Sequence, residues 1–424
     1  MLSGMKKQHH LELITALDLG SSSIRIAVGQ MGNTMEGKSE VQMIGMVEVP
    51  SEGIHRGVIT SIEETVSSLS HALEQAERLI GVPIEHVWVG ISGSDVLSQE
   101  SRGVIAVAKP DGEISSDDVH RVLEAAKTVA VPLNYEILHV IPKSYNVDGQ
   151  TGIKDPVGMT GIRMEVNAQM IYAVSSHLKN ITKAIYRTGI DIDDLVLSVL
   201  ATGEAVTTSR QRELGVVVVN MGGSSTSLVV YEHGDIIHTA VIPLGAEHVT
   251  NDLAIGLRTS IDIAEQVKVE YGTCVPGMVE KNASLDLQEV GGAQSELISL
   301  QYVAEIIQAR TEEILEKINE ELQKVGYNGK LPAGIVFTGG GAKLHGLVEL
   351  AKQQLSLPAR IGEPMFIGGS SQHANDPAFA PVISLVKWGA AIYDEGGRRS
   401  TSRLSGGANK ALQKVQNLWR SLMP

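Results

Sequence analysis

Residues 15–32, TALDLGSSSIRIAVGQMG, return in altered form at 217–234, VVVNMGGSSTSLVVYEHG, and this duplication constrains the fold more than any other feature. Laid over each other, Asp18 falls on Asn220, Gly20 on Gly222, Ser21 to Ser23 on Gly223 to Ser225, and Gly32 on Gly234. Each copy reads as strand, tight polar turn, strand. Gly and Ser in such a turn let backbone N–H groups and hydroxyls converge on an anion, and phosphate suits them. One Gly/Ser turn is ordinary hairpin chemistry. A repeat that also keeps the flanking strands and the trailing Gly points to two related half-domains facing each other across one nucleotide.

The remaining sequence fits such a two-part body. At 424 residues the chain exceeds what one hydrophobic core usually serves. Its 35 basic and 49 acidic side chains leave a formal charge of −14, against a general nucleic-acid binder, which gains affinity through clustered Lys and Arg. The single cysteine, Cys274, excludes an internal disulfide framework, and no Cys/His spacing resembles a zinc site. The opening MLSGMKKQHH lacks a signal peptide's apolar core, and the longest apolar run, around 214–219, is far short of the ~20 residues that span a bilayer.

In chain order, residues 41–49 read as a further strand. A helix begins near Ser61, with Ser61 and Glu64 in a capping-box pattern, and 86–91 reads as a buried strand. Residues 96–173 read as a compact α+β unit: strand at 104–108, helix at 116–130, strands at 137–147 and 161–173. Helix is expected at 176–188, strand at 195–200, then a helix containing Glu204. Residues 246–271 read as one helix carrying Glu265 and Lys268 on a common face, either a solvated ion pair or a contact to a ribose and base. Residues 300–325 read as a long amphipathic helix. A short strand then runs into Gly339, Gly340 and Gly341, with helix expected over 342–355, a pattern that forms an anion or nucleotide seat. The glycine spacing fits neither a P-loop nor a dinucleotide fingerprint.

After Asp394 the composition turns to EGGRRSTSRLSGGANK, a flexible linker by its Gly, Ser and Arg content. No acid follows Glu395, and six basic residues do. The last segment sets Leu412, Val415, Leu418, Trp419 and Leu422 along one helical face, with Lys414 and Arg420 largely elsewhere. A basic amphipathic helix with an interfacial Trp, on a loose tether, is a membrane-surface signal.

The hairpins and the late glycine turn resemble the actin, Hsp70 and sugar-kinase superfamily. The finer resemblance is to the FtsA family of bacterial cell-division proteins. It is carried by ALDLGSSSIRIAVG, ILHVIPKSYNVDGQTGIKDPVGMTGIRMEV, VVVVNMGGSSTSLVVYEHGDIIHTAVIPLG and IVFTGGGAKLHGL, closed by the terminal helix. It implies an α/β, actin-like (ribonuclease H-like) two-lobed ATPase fold. The first lobe would take 1–95 and 174–213, the inserted α+β subdomain 96–173, the second lobe 214–393, with its outer part at about 256–325. A linker at 394–407 and an amphipathic helix at 408–424 would follow.

The resemblance further implies ATP with Mg²⁺ in the cleft, filament formation, FtsZ binding through the second lobe, and docking on the inner face of the cytoplasmic membrane at the division site. Other division proteins would meet the inserted subdomain. Residue by residue, Asp18, Gly20, Ser21, Ser22 and Ser23 fall in the first phosphate motif, with Asp18 reaching the metal through water. Asn220, Gly222, Gly223, Ser224 and Ser225 fall in the second; Glu265, Lys268 and Gly339 to Gly341 match adenosine contacts; Glu204 lies near the motif that positions water. Two departures stand out: Asn220 where the family commonly has Asp, and Ser23 where Lys is common. Loss of that charge weakens metal grip and water activation more than nucleotide binding. Two other readings share the hairpins, a type IV pilus assembly adaptor and a sugar-kinase-like phosphotransferase. The first lacks the run around residues 139–164 and the second has no use for the tail.

Overall fold

The computed structural model describes residues 13–33, 39–93, 96–128, 131–292, 294–365 and 373–396. Residues 394–396, expected to open the linker, are the last of helix Ala380–Gly396, whereas the rest of the linker and the terminal helix, with Leu412, Lys414, Val415, Leu418, Trp419, Arg420 and Leu422, lie outside the described residues.

The duplication extends from hairpins to whole sheets. The first sheet has the order Ser39–Pro50, Ser23–Asn33, Leu13–Leu19, His86–Ile91, Asp191–Leu197, and the second Asp235–Ile242, Thr226–Glu232, Val216–Met221, Ile335–Thr338, Ala359–Ile361. In each, three antiparallel strands are followed by two parallel ones. Asp18 is flanked by Arg25 and Gly90; at the same level Asn220 is flanked by Ser227 and Thr338. Each third strand runs out at a proline, Pro50 or Pro243, which cannot donate to a ladder. The central strands are near-continuous runs of Val, Ile and Leu because helices cover both faces.

Two connecting helices lie between the sheets. Ser198–Val206 leaves the first lobe and packs on the strands of the second, whereas Ala380–Gly396 leaves the second and packs on the first. Trp88, Leu200, Val218, Tyr231, Phe379 and Leu385 belong to the shared core they fill.

The inserted unit is a four-stranded sheet in the order Val96–Ala106, Arg163–Val174, Tyr135–Val147, Gln150–Ile153, covered by helix Ser116–Lys127. Gly103 permits that cover, since a Cβ there would lie 2.1 Å from the Val122 carbonyl oxygen. The first strand begins at Val96 rather than near 104, because its exposed polar residues Gln99 and Glu100 mask a strand that pairs throughout with Arg163–Val174. The unit leans on the second lobe: Thr239 Oγ1 donates to Ser98 Oγ at 2.9 Å, and Lys154 pairs with Asp235.

Three local expectations change. The segment 246–271 forms two helices, Ala246–Gly256 and Ile261–Tyr271, because Arg258 turns left-handed (φ 52°) and Ser260 caps the second. The segment at 195–200 is strand only to Leu197, where the connecting helix starts. The second and third glycines open a 3₁₀ turn, Gly340–Lys343, and the helix starts at Leu347, with Gly346 in left-handed backbone (φ 79°) ahead of it. A helix N-terminus therefore does not follow the glycines directly.

Candidate functional site

The two hairpin tips meet. Ser21 Oγ and Ser224 Oγ share a hydrogen bond at 2.8 Å, and Ser22 Oγ donates to Glu247 Oε1 at 2.7 Å, residues 203 and 225 positions apart. Gly57 N–H donates to Ser21 Oγ at 2.8 Å, which fixes the first tip. Around this junction lies a cleft of about 600 Å³, the scale of a small-molecule pocket. Asp18, Gly20 to Ser23, Asn220, Gly222 to Ser225, Glu265, Lys268 and Gly339 to Gly341 all line it.

Asp18 sits at the base of the first hairpin, 7% exposed. Burial pushes its carboxyl above the ordinary range, and the Arg25 guanidinium pulls it back. No described residue hydrogen-bonds it. The hydroxyl of Ser23 is likewise buried without a partner among the described residues. Arg25 and Glu48 form an ion pair at 2.6 Å on the same wall, and the guanidinium also lies 5.7 Å from the Phe379 ring centroid.

On the opposite wall Asn220 supports the glycine turn. A Cβ on Gly339, at φ 84°, would lie 2.4 Å from Asn220 Oδ1, so the close approach and the positive φ both demand glycine. Gly340 opens onto free space. Lys268 is buried rather than solvated: its Nζ donates to Glu265 at 2.6 Å, to Thr250 at 2.8 Å and to the Ala246 carbonyl at 3.4 Å. The ammonium thus ties two helices into the cleft floor. Lys343, on the rim, pairs with Asp376 at 2.9 Å.

Glu204 is not brought to the cleft. It lies near the C-terminal end of helix Ser198–Val206, beside Arg212 and Tyr231, where burial pushes its carboxyl up to about 7 against the pull of Arg212. Ser198, at the other end of that helix, approaches Asp18: a Cβ on Gly90 would meet Ser198 Oγ at 2.4 Å and Asp18 Oδ1 at 3.4 Å. Ser198 Oγ is buried without a partner among the described residues. Sequence reasoning missed Arg25, Glu48, Glu247 and Ser198. Only strand register, which sets Arg25 between Asp18 and Glu48, could have signalled any of them.

The cleft presents two small polar turns, one buried carboxylate with no hydrogen-bond donor among the described residues, a glycine ledge and a lysine-bearing floor. Such a surface suits a ligand that is anionic at one end and flat and polar at the other. Among the described residues no helix is long and apolar enough to cross a membrane, and no three His, Cys, Asp or Glu side chains cluster as a metal site on their own.

Comparison with known proteins agrees with the architecture. The family model described as Cell division protein FtsA matches residues 217–384, and that described as SHS2 domain inserted in FTSA matches 93–172. The cell division protein FtsA of Bacillus subtilis is 38% identical over 377 residues, 89% of this chain and 83% of its own length. Among solved structures, the PilM-PilN type IV pilus biogenesis complex matches with a TM-score of 0.64 at 15% identity, over 89% of this chain and 98% of that one. MreB5 of Spiroplasma citri bound to ADP matches with a TM-score of 0.53 at 14% identity, over 89% and 95%. At those identities the two structures carry the fold alone, which is actin-like.

Proposed function

This chain belongs to the FtsA family of cell division proteins, and from that premise we propose that it binds ATP with Mg²⁺, polymerises, and tethers FtsZ filaments to the inner face of the cytoplasmic membrane at the septum. The observation that carries the reading is the meeting of two homologous hairpin tips at Ser21 and Ser224 over one cleft.

The residues present fit a magnesium nucleotide. Mg²⁺ is commonly held by one or two carboxylates together with substrate phosphates and water. The buried Asp18 carboxylate, raised by burial and only partly offset by Arg25, is a group that a further cation relieves. The turns Gly20 to Ser23 and Gly222 to Ser225 hold the phosphates, and Glu265, Lys268 and Gly339 to Gly341 hold the adenosine. That MreB5 of this fold is bound to ADP supports a nucleotide here. When bound, the metal neutralises phosphate charge. Asn220 keeps a hydrogen-bond acceptor but no charge, so turnover is weak and the nucleotide acts chiefly as a structural switch.

The tail supports the tether. Six basic residues and no acid after Glu395, with an apolar face that includes Trp419, suit an anionic lipid surface. FtsZ meets the second lobe, a further copy of the chain extends the filament, and other division proteins meet the inserted subdomain.

Flotation with FtsZ, anionic vesicles and ATP tests the whole reading. FtsZ should float with vesicles only when the full chain is present, and a chain ending at Asp394 should leave it behind. Equal flotation by the shortened chain would remove the tether from the proposal.

A further inference from the structure

We propose that Glu247 is the second lobe's acidic group toward the metal-bound phosphates, replacing the charge that Asn220 lacks, and that it makes nucleotide uptake depend on the divalent cation. The inference rests on the reading of the cleft as a magnesium-nucleotide site.

Glu247 is built into the second phosphate turn. The Ala246 N–H donates to the Gly222 carbonyl at 2.9 Å and the Glu247 N–H to the Gly223 carbonyl at 2.8 Å, so the start of helix Ala246–Gly256 is bonded to the turn. Gly245 makes the approach possible, since a Cβ there would lie 2.5 and 2.6 Å from the carbonyl oxygens of Gly223 and Gly222. From that fixed base the side chain reaches across the cleft, where Oε1 accepts the Ser22 hydroxyl at 2.7 Å. A Cβ on Gly223 would fall 2.2 Å from Ser22 Oγ and 2.6 Å from Glu247 Oε1, so the carboxylate lies between the two turns.

A carboxylate in that place has opposite effects in two conditions. Alone it repels a polyphosphate entering between the turns. With a divalent cation held among the phosphates, the same charge attracts, and Asp18 supplies its counterpart from the first lobe. One acid then comes from each wall, although the strand-end position at Asn220 is neutral. With no cation or nucleotide, the carboxylate is held by Ser22, which keeps the turns together.

The test is ATP affinity of the full chain by titration calorimetry, in magnesium and in EDTA, for wild type and Glu247→Gln. Glutamine keeps the length and an acceptor for Ser22 but removes the charge. Removing the metal should weaken wild-type affinity by a factor at least about fivefold larger than the factor by which it weakens the variant's, since in the variant Asp18 still faces the cation. A contact that only shaped the cleft would lower both affinities together and leave their ratio unchanged, and an unchanged ratio overturns the proposal. Equal wild-type affinity with and without metal overturns it too, leaving the nucleotide reading intact, whereas no wild-type binding in magnesium overturns both. If the Gln variant does not melt cooperatively, Glu247→Ala is read by the same ratio.

Discussion

The first lobe carries a row of charge across its central strands, and the second carries none at the same level. Asp18 lies opposite Arg25, and Arg25 opposite Glu48, with Arg25 and Glu48 paired at 2.6 Å. The corresponding row in the second lobe is Asn220, Ser227 and Val241. A buried carboxylate is tolerable beside a cation, whereas an amide needs only hydrogen-bonding neighbours. The duplicated hairpins thus keep one backbone and divide the electrostatics. One wall stores charge, while the other lends shape through Asn220 against Gly339 and takes its acid from the next helix.

The severest challenge to this contrast is Asp18→Asn. It should lower magnesium-ATP affinity about a hundredfold, roughly 3 kcal/mol, in titration calorimetry. Yet it should raise the Tm of the nucleotide-free protein at pH 7. A carboxyl whose folded pKa is raised costs stability as pH climbs past its unfolded value, and removing it removes that cost. A lowered Tm would show that Asp18 is well solvated after all.

Next is Arg25→Gln, which leaves two carboxylates uncompensated and should cost about 3 kcal/mol in urea unfolding, against under about 1 kcal/mol for Ser227→Ala across the pseudo-dyad. Similar losses at both positions would erase the distinction between the rows. Asn220→Asp, which makes the second wall more like the first, should raise ATP hydrolysis several-fold, at most about tenfold. Unchanged phosphate release with binding intact would mean that charge at this level does not limit turnover.

The smallest effect compares the two connecting helices. Burial pushes Glu204 up to about 7 and Lys387 down to about 8. The cost of charging Glu204 grows as pH rises from its ordinary value toward 7, and the cost of charging Lys387 disappears as pH rises through 8 toward its ordinary value. Together they predict a shallow minimum in stability between these two values. Glu204→Gln should remove the fall on its acid side, raising stability by about 1 to 3 kcal/mol from pH 7 upward, the low figure applying because part of the side chain still meets solvent. A pH series of thermal melts on both forms checks this.

The hairpins were legible because their chemistry is local: a polar turn between β-branched strands, repeated with its flanks. The meeting of Ser21 with Ser224 followed from that repeat. Arg25 and Glu48 were not legible, since their partnership depends on the register between strands. Glu247 was hidden by the 225 positions separating it from Ser22. Glu204 was placed by proximity to a motif, but the rotation of its helix turns the carboxylate toward Arg212. The break at Arg258 had a sequence signal in Thr259 and Ser260, an N-cap that the amphipathic pattern on either side obscured. The delayed start of helix Leu347–Leu355 had one in Gly346.

The exchange of connecting helices, each grown from one sheet and buried on the other, bears on how this molecule can be taken apart. Severed at Gly215, the amino-terminal piece would present Ser198–Val206 with nothing to cover it, and the carboxy-terminal piece would hold the element that seals the other's sheet. Neither piece is a self-sufficient unit. Produced together, the fragments would reassemble by reciprocal embrace, so split reporters should be joined at this point.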